Sequence, residues 1–138
     1  MVIKQISYDM ISDRSDNTNI KKHFNIERMY QYLGQDLDTA KEILSMVLIE
    51  LEVSLRKFED FIMANNLHGI KATAHKLIGT SSSVGLMELS NIARKFEGEP
   101  DFDPVLINIY YTKIKSEVKF VAQLINNFLS KKSFSEVI

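Results

Sequence analysis

Residues 74–85 read AHKLIGTSSSVG, and the spacing around this run is that of a helix with one unusual face. Ile70, Ala74, Leu77 and Ser81 recur at steps of four, three and four, so they share one side of an α-helix. His75 follows Ala74 and lies about 100° further round, at the margin of that side. Its helical neighbours are Lys71, Ala72, Ile78 and Gly79. The pattern predicts a helix from about Leu67 to Ser82. Gly79 breaks the pattern, because glycine inside a helix costs about 1 kcal/mol relative to alanine. Two uses would justify that cost: open access over the histidine, or close approach of another helix.

The segments on either side are also helical in period. Asn25 is placed to cap a short helix with the stripe Ile26, Met29, Tyr30 and Leu33, flanked by a Phe24–Met29 hydrophobic staple and ended by Gly34. Asp36 or Asp38 caps a long helix whose apolar positions are Leu44, Val47, Leu48, Leu51, Leu55, Phe58 and Ile62. Asn65-Asn66 breaks it and caps the helix that carries His75. A further helix is expected from near Gly85, with Leu86, Leu89, Ile92, Ala93 and Phe96, stopped by Gly98-Glu99-Pro100. Asp103-Pro104 is a cap followed by a first-turn proline, opening a last helix through Ile107, Tyr110, Ile114, Val118, Val121, Ile125 and Phe128. No segment has strand period. The fold class is therefore all-α: an antiparallel up-and-down four-helix bundle with a short additional N-terminal helix. The bundle is expected over residues 23–130. Residues 1–22, polar through Ser12-Asp13-Arg14-Ser15-Asp16-Asn17, read as an extension or linker, and residues 131–138 as a tail.

Composition narrows the functions. The 138 residues are 45% hydrophobic and 25% charged, ordinary for a globular domain with a real core. A net charge of −1 gives no electrostatic case for nucleic acid or an anionic membrane. The chain has no cysteine, which excludes disulfides, thiolate metal sites and thiol catalysis and fits a cytoplasmic location. No apolar run approaches the ~20 residues that span a bilayer. Lys4, Gln5 and Asp9 interrupt the first ten residues, so no signal-peptide core is expected there. There is no glycine-rich phosphate loop of the kind that binds ATP.

His75 is the residue with the clearest chemical use. Neutral imidazole is a competent nucleophile near neutral pH and needs no adjacent base to attack phosphorus. A phosphorylated ring nitrogen remains a reactive donor. Such a site needs an exposed imidazole, room for a partner, and positive charge for the phosphate. Gly79 offers the room, and Lys71 and Lys76 offer the charge. The other histidines read differently: His23 as solvent-facing and His68 as a surface residue near a helix start. No carboxylate–x–x–His pair accompanies them, so no metal site is expected. Ser81, Ser82 and Ser83 read as a close-packed helix end, since no activating triad is visible.

The segment from Phe24 to about Leu129 resembles a histidine-containing phosphotransfer (HPt) domain. The resemblance rests on Ala74-His75, Lys76, Leu77, Gly79, the small polar run Thr80-Ser81-Ser82-Ser83, Gly85, Leu89 and Phe96-Glu97. Phe24-Asn25-Ile26 and Leu33-Gly34-Gln35-Asp36 also look like the family's opening helix and turn. The resemblance implies a cytoplasmic phosphorelay intermediate of bacterial signalling type, a phosphoryl carrier without kinase activity. His75 would accept a phosphoryl group from a receiver-domain aspartate and pass it to another receiver. The partners implied are receiver domains of response regulators or hybrid histidine kinases, with no nucleic acid and no membrane insertion. No cofactor is implied on this chain; Mg²⁺ belongs to the receiver. The supporting residues expected around His75 are Lys71, Lys76, Ile78, Gly79, Ser82 and Gly85. One departure stands out. The position three after the histidine is usually lysine in the family, where it steadies the phosphoryl group; here it is Ile78. That leaves an alternative, a non-catalytic helical adaptor that binds receivers or kinases.

Overall fold

The side chains expected to start helices do so in the computed structural model, which describes residues 20–131. Asn25 accepts a hydrogen bond from the Arg28 amide at 3.1 Å and opens α1, Ile26–Leu33. Asp36, rather than Asp38, caps α2, Leu37–Met63, accepting from the Asp38 amide at 3.2 Å and the Thr39 hydroxyl at 2.7 Å. Asn66 accepts from the Gly69 amide at 2.9 Å and opens α3, Leu67–Ser83. Asp103 accepts from the Leu106 amide at 2.8 Å, with Pro104 in the first turn of α5, Pro104–Leu129. Each of the bonds from a backbone amide satisfies one of the N–H groups a helix start leaves unpaired.

The remaining helix, α4, spans Met87–Glu97 and has no side-chain cap. Its start corrects the sequence expectation by two residues. Gly85 has φ of +81° and cannot begin a right-handed helix; Leu86 is the N-cap and is fully buried. The Gly85 carbonyl accepts from the Asn25 amide at 2.8 Å, which ties the α3–α4 turn to the start of α1.

The four longer helices, α2 to α5, form an all-α bundle, with α1 a short element against α2. The stripes meet along its axis. Leu44, Leu51 and Phe58 of α2, Ile70, Ala74 and Leu77 of α3, Leu89 and Phe96 of α4, and Ile114 and Ile125 of α5 are almost wholly buried. Gly69 allows α2 and α3 to approach: a Cβ there would lie 2.5 Å from the Phe61 ring. Phe96 fixes the end of α4. Its ring stacks on Tyr110 at 4.8 Å and on Phe102 at 5.1 Å, and Phe58 packs at 5.9 Å.

His23 is not solvent-facing. Residues 20–23 are helical, and the His23 side chain is only 23% exposed. Its Nδ1 lies 2.5 Å from Glu117 Oε2 on α5, with Phe120 edge-on at 4.6 Å. The partner is 94 residues away, so no local signal announces it. Most of the expected 1–22 extension and the tail beyond Lys131 lie outside the described residues. No helix among the described residues is long and apolar enough to cross a membrane.

Candidate functional site

Ala74 and Leu77 point into the core and are fully buried, which turns the intervening face of α3 outward. His75 sits there with 75% of its side chain exposed. Its Nδ1 lies 2.8 Å from Oε2 of Glu97, in the last turn of α4. A carboxylate only accepts hydrogen bonds, so Nδ1 carries the proton and donates it. The neutral ring then keeps its lone pair on Nε2. Nε2 has no hydrogen bond to the protein among the described residues.

The pairing belongs to a longer seam. His75, Gly79 and Ser82 follow one another along α3 at steps of four and three. Ser90, Arg94 and Glu97 do the same along α4, which runs the opposite way. At one end His75 meets Glu97; at the other the Ser82 and Ser90 hydroxyls lie 2.8 Å apart. Arg94 Nη2 donates to Ser90 Oγ at 3.2 Å from between them. Between the same two contacts on α3, Gly79 is exposed, and a Cβ placed there would meet nothing within 4 Å. Close helix packing therefore does not explain Gly79. Open space beside His75 does, whereas Gly69 is the glycine of close approach.

The two lysines expected near the imidazole have other partners. Lys76 reaches Glu50 on α2, 3.6 Å from its Oε1. Lys71, one turn before His75, holds its ammonium over the Phe102 ring at 5.3 Å. Ile78 is half-buried and packs against the core. Ser82 belongs to the seam. Gly85 lies outside it, buried in the turn against Asn25. Ser81 is buried, and its hydroxyl donates to the Leu77 carbonyl at 2.6 Å, so it finishes the helix.

Sequence reasoning gave no role to Glu97 or Arg94. The 90–94–97 spacing matches 75–79–82, yet nothing local says that these faces oppose each other. Among the described residues, two surface cavities are lined by other positions. One, of about 230 Å³, is lined by Glu50, Ser54, Lys57, Phe61, Thr73 and Lys76. The other, of about 500 Å³, includes Glu88, Ile92, Lys95, Tyr110, Lys113 and Glu117. Neither is lined by His75. An imidazole this exposed suits a partner that brings its own active site more than an enclosed small substrate.

Glu97→Ala removes the acceptor that fixes the tautomer. It is expected to raise the Nδ1-unprotonated fraction of His75, read from the ¹⁵N shifts of the ring. An unchanged tautomer ratio would mean that Glu97 does not orient the imidazole.

A protein-family model for the Hpt domain matches residues 42–119, from the early turns of α2 into α5, with the whole His75–Glu97 seam inside it. No curated protein and no solved structure matches the chain significantly.

Proposed function

Since the chain belongs to the Hpt domain family, whose members carry phosphoryl groups in two-component signalling and are not themselves kinases, we propose that His75 is its phosphoryl-carrying residue. In this reading the chain takes the group from one receiver domain and gives it to another. The observation that carries it is the exposed imidazole with Nδ1–H held by Glu97 at 2.8 Å beside the open Gly79.

The step balances without an oxidant or a cofactor on this chain. The Nε2 lone pair attacks the phosphorus of a receiver aspartyl phosphate. The P–O bond to that aspartate breaks, and its electron pair leaves on the receiver carboxylate. Nδ1–H stays hydrogen-bonded to Glu97, whose negative charge offsets the positive charge that develops on the ring. In the return step a second receiver carboxylate attacks phosphorus, and the N–P electrons return to Nε2. The receiver contributes its Mg²⁺; the bundle contributes a positioned nucleophile and a surface for docking.

The test is a two-stage transfer. Receiver carrying labelled aspartyl phosphate is mixed with the chain, and a second receiver is then added. Label should pass to the chain, where it is acid-labile and base-stable, and then to the second receiver, where it becomes base-labile. Ile78, in place of the usual lysine, favours the docking-only alternative. That alternative predicts receiver binding that survives His75→Ala, with no label on the chain.

Gly79→Leu separates access from folding. The new side chain meets no neighbour at its Cβ, and leucine gains about 1 kcal/mol of helix propensity over glycine. The variant is expected to melt no lower than the parent while transfer from a receiver falls at least about tenfold, the cost of an obstructed docking geometry. Unchanged transfer would remove Gly79 from the docking surface.

A further inference from the structure

We infer that Arg94 is the cation that receives the phosphoryl group on His75, taking the place that Ile78 leaves without charge. This rests on the reading of His75 as phosphoryl carrier and adds to it a binding residue on a different helix.

A phosphoryl group on Nε2 brings about two negative charges to an exposed surface, where Glu97 already contributes one. A cation within one helical turn is needed to offset them. Lys76 is drawn toward Glu50 on α2, and Lys71 sits over Phe102 beyond the end of α4. Lys95 lines the cavity shared with Tyr110 and Lys113, on the α5 side of α4. Arg94 lies on the seam itself. It is exposed, one turn from Glu97, and the His75–Glu97 and Ser82–Ser90 contacts bracket it on α4 as they bracket Gly79 on α3.

Its present contact leaves it available. Arg94 donates to the neutral Ser90 hydroxyl at 3.2 Å, and no ion pair engages it among the described residues. Exchanging one hydroxyl for phosphoryl oxygens is favourable, because a guanidinium presents paired donors that match phosphate geometry. The empty space over Gly79 gives the side chain room to turn from Ser90 toward His75. Ser90, itself bonded to Ser82, would then hold the resting position, and the phosphoryl group the loaded one.

Binding there should slow loss of the group to water. A guanidinium on the phosphoryl oxygens stabilises the loaded protein, and those contacts are lost when the group leaves. Isoleucine at position 78 is tolerable because the charge comes from α4.

The experiment loads the full chain with phosphoramidate, a small donor that needs no receiver. The Nε2 lone pair attacks phosphorus, and the P–N bond of the donor breaks to release ammonia. Loading and decay are followed by intact mass and ³¹P resonance for the parent, Arg94→Ala, Arg94→Lys and Lys71→Ala. We expect Arg94→Ala to shorten the phosphohistidine half-life about fivefold, as for loss of a charge-assisted contact at an exposed site. Arg94→Lys should restore part of it, and Lys71→Ala should leave it unchanged. Adding Ile78→Lys to Arg94→Ala should lengthen the half-life again. Equal half-lives for parent and Arg94→Ala, or a shortening confined to Lys71→Ala, would overturn the assignment of Arg94. Absence of phosphohistidine in the parent would instead overturn the reading of His75 on which it rests.

Discussion

His75→Gln should accept no phosphoryl group from a phosphorylated receiver while folding as stably as the parent. The side chain is 75% exposed and makes one hydrogen bond, to Glu97 at 2.8 Å. Replacing an exposed residue of this kind changes stability by less than about 0.5 kcal/mol. Glutamine keeps a polar side chain of similar reach, but its amide nitrogen has no free lone pair to form a bond to phosphorus. The chemistry therefore disappears without loss of the bundle. The check is labelling by a phosphorylated receiver, alongside thermal melts of both proteins. Label retained by the variant would place the acceptor elsewhere. His23 is a poor substitute, because its ring is largely covered and paired with Glu117 at 2.5 Å. His68 is exposed near the start of α3, two turns before the seam.

Gly85→Ala should be the most destabilising single substitution near the site, lowering stability by about 3 kcal/mol. Two costs combine. The backbone holds φ at +81°, where a side chain is disfavoured by about 1–2 kcal/mol. The added Cβ would also lie 2.3 Å from the Asn25 carbonyl oxygen, so backbone must move. That carbonyl accepts from the Met29 amide at 3.1 Å, and the Asn25 amide donates to the Gly85 carbonyl at 2.8 Å. Relieving the clash therefore disturbs the first turn of α1 and the turn between α3 and α4 together. The melting temperature should fall by about 10 °C, with labelling of His75 retained well below the transition. A melt unchanged within a degree would show that this turn adapts freely. The contrast with Gly79→Leu is instructive: one glycine answers to backbone geometry, the other to access.

Much of this architecture could be read along the chain because it depends on neighbours in sequence. Asn25, Asn66 and Asp103 cap where spacing predicts. The stripe through Leu44, Leu51 and Phe58 is buried, as a three–four period requires. The exposure of His75 followed from its position beside Ala74. The start of α4 was misplaced because φ at Gly85 is fixed by its contact with Asn25, sixty residues earlier. The seam was illegible for the same kind of reason. Glu97 reaches His75 because α4 packs back against α3, with Phe96 beside it held by Phe58, Phe102 and Tyr110. Proximity in sequence also misled: Lys71 and Lys76 flank His75 along the chain, yet their ammonium groups meet Phe102 and Glu50. Arg94, nineteen residues away, lies on α4 between Ser90 and Glu97, the residues that contact Ser82 and His75.

The central claim is that Nε2 of His75 carries the phosphoryl group. The most direct measurement is to load the intact chain from a phosphorylated receiver, digest it at alkaline pH, and locate the phosphate by mass spectrometry. The ring nitrogen is then assigned by ¹⁵N–³¹P correlation on the intact protein. The account predicts one phosphoryl group, on Nε2 of His75. Phosphate on Nδ1 or on any other residue, or no phosphate from any receiver that binds the chain, would contradict it.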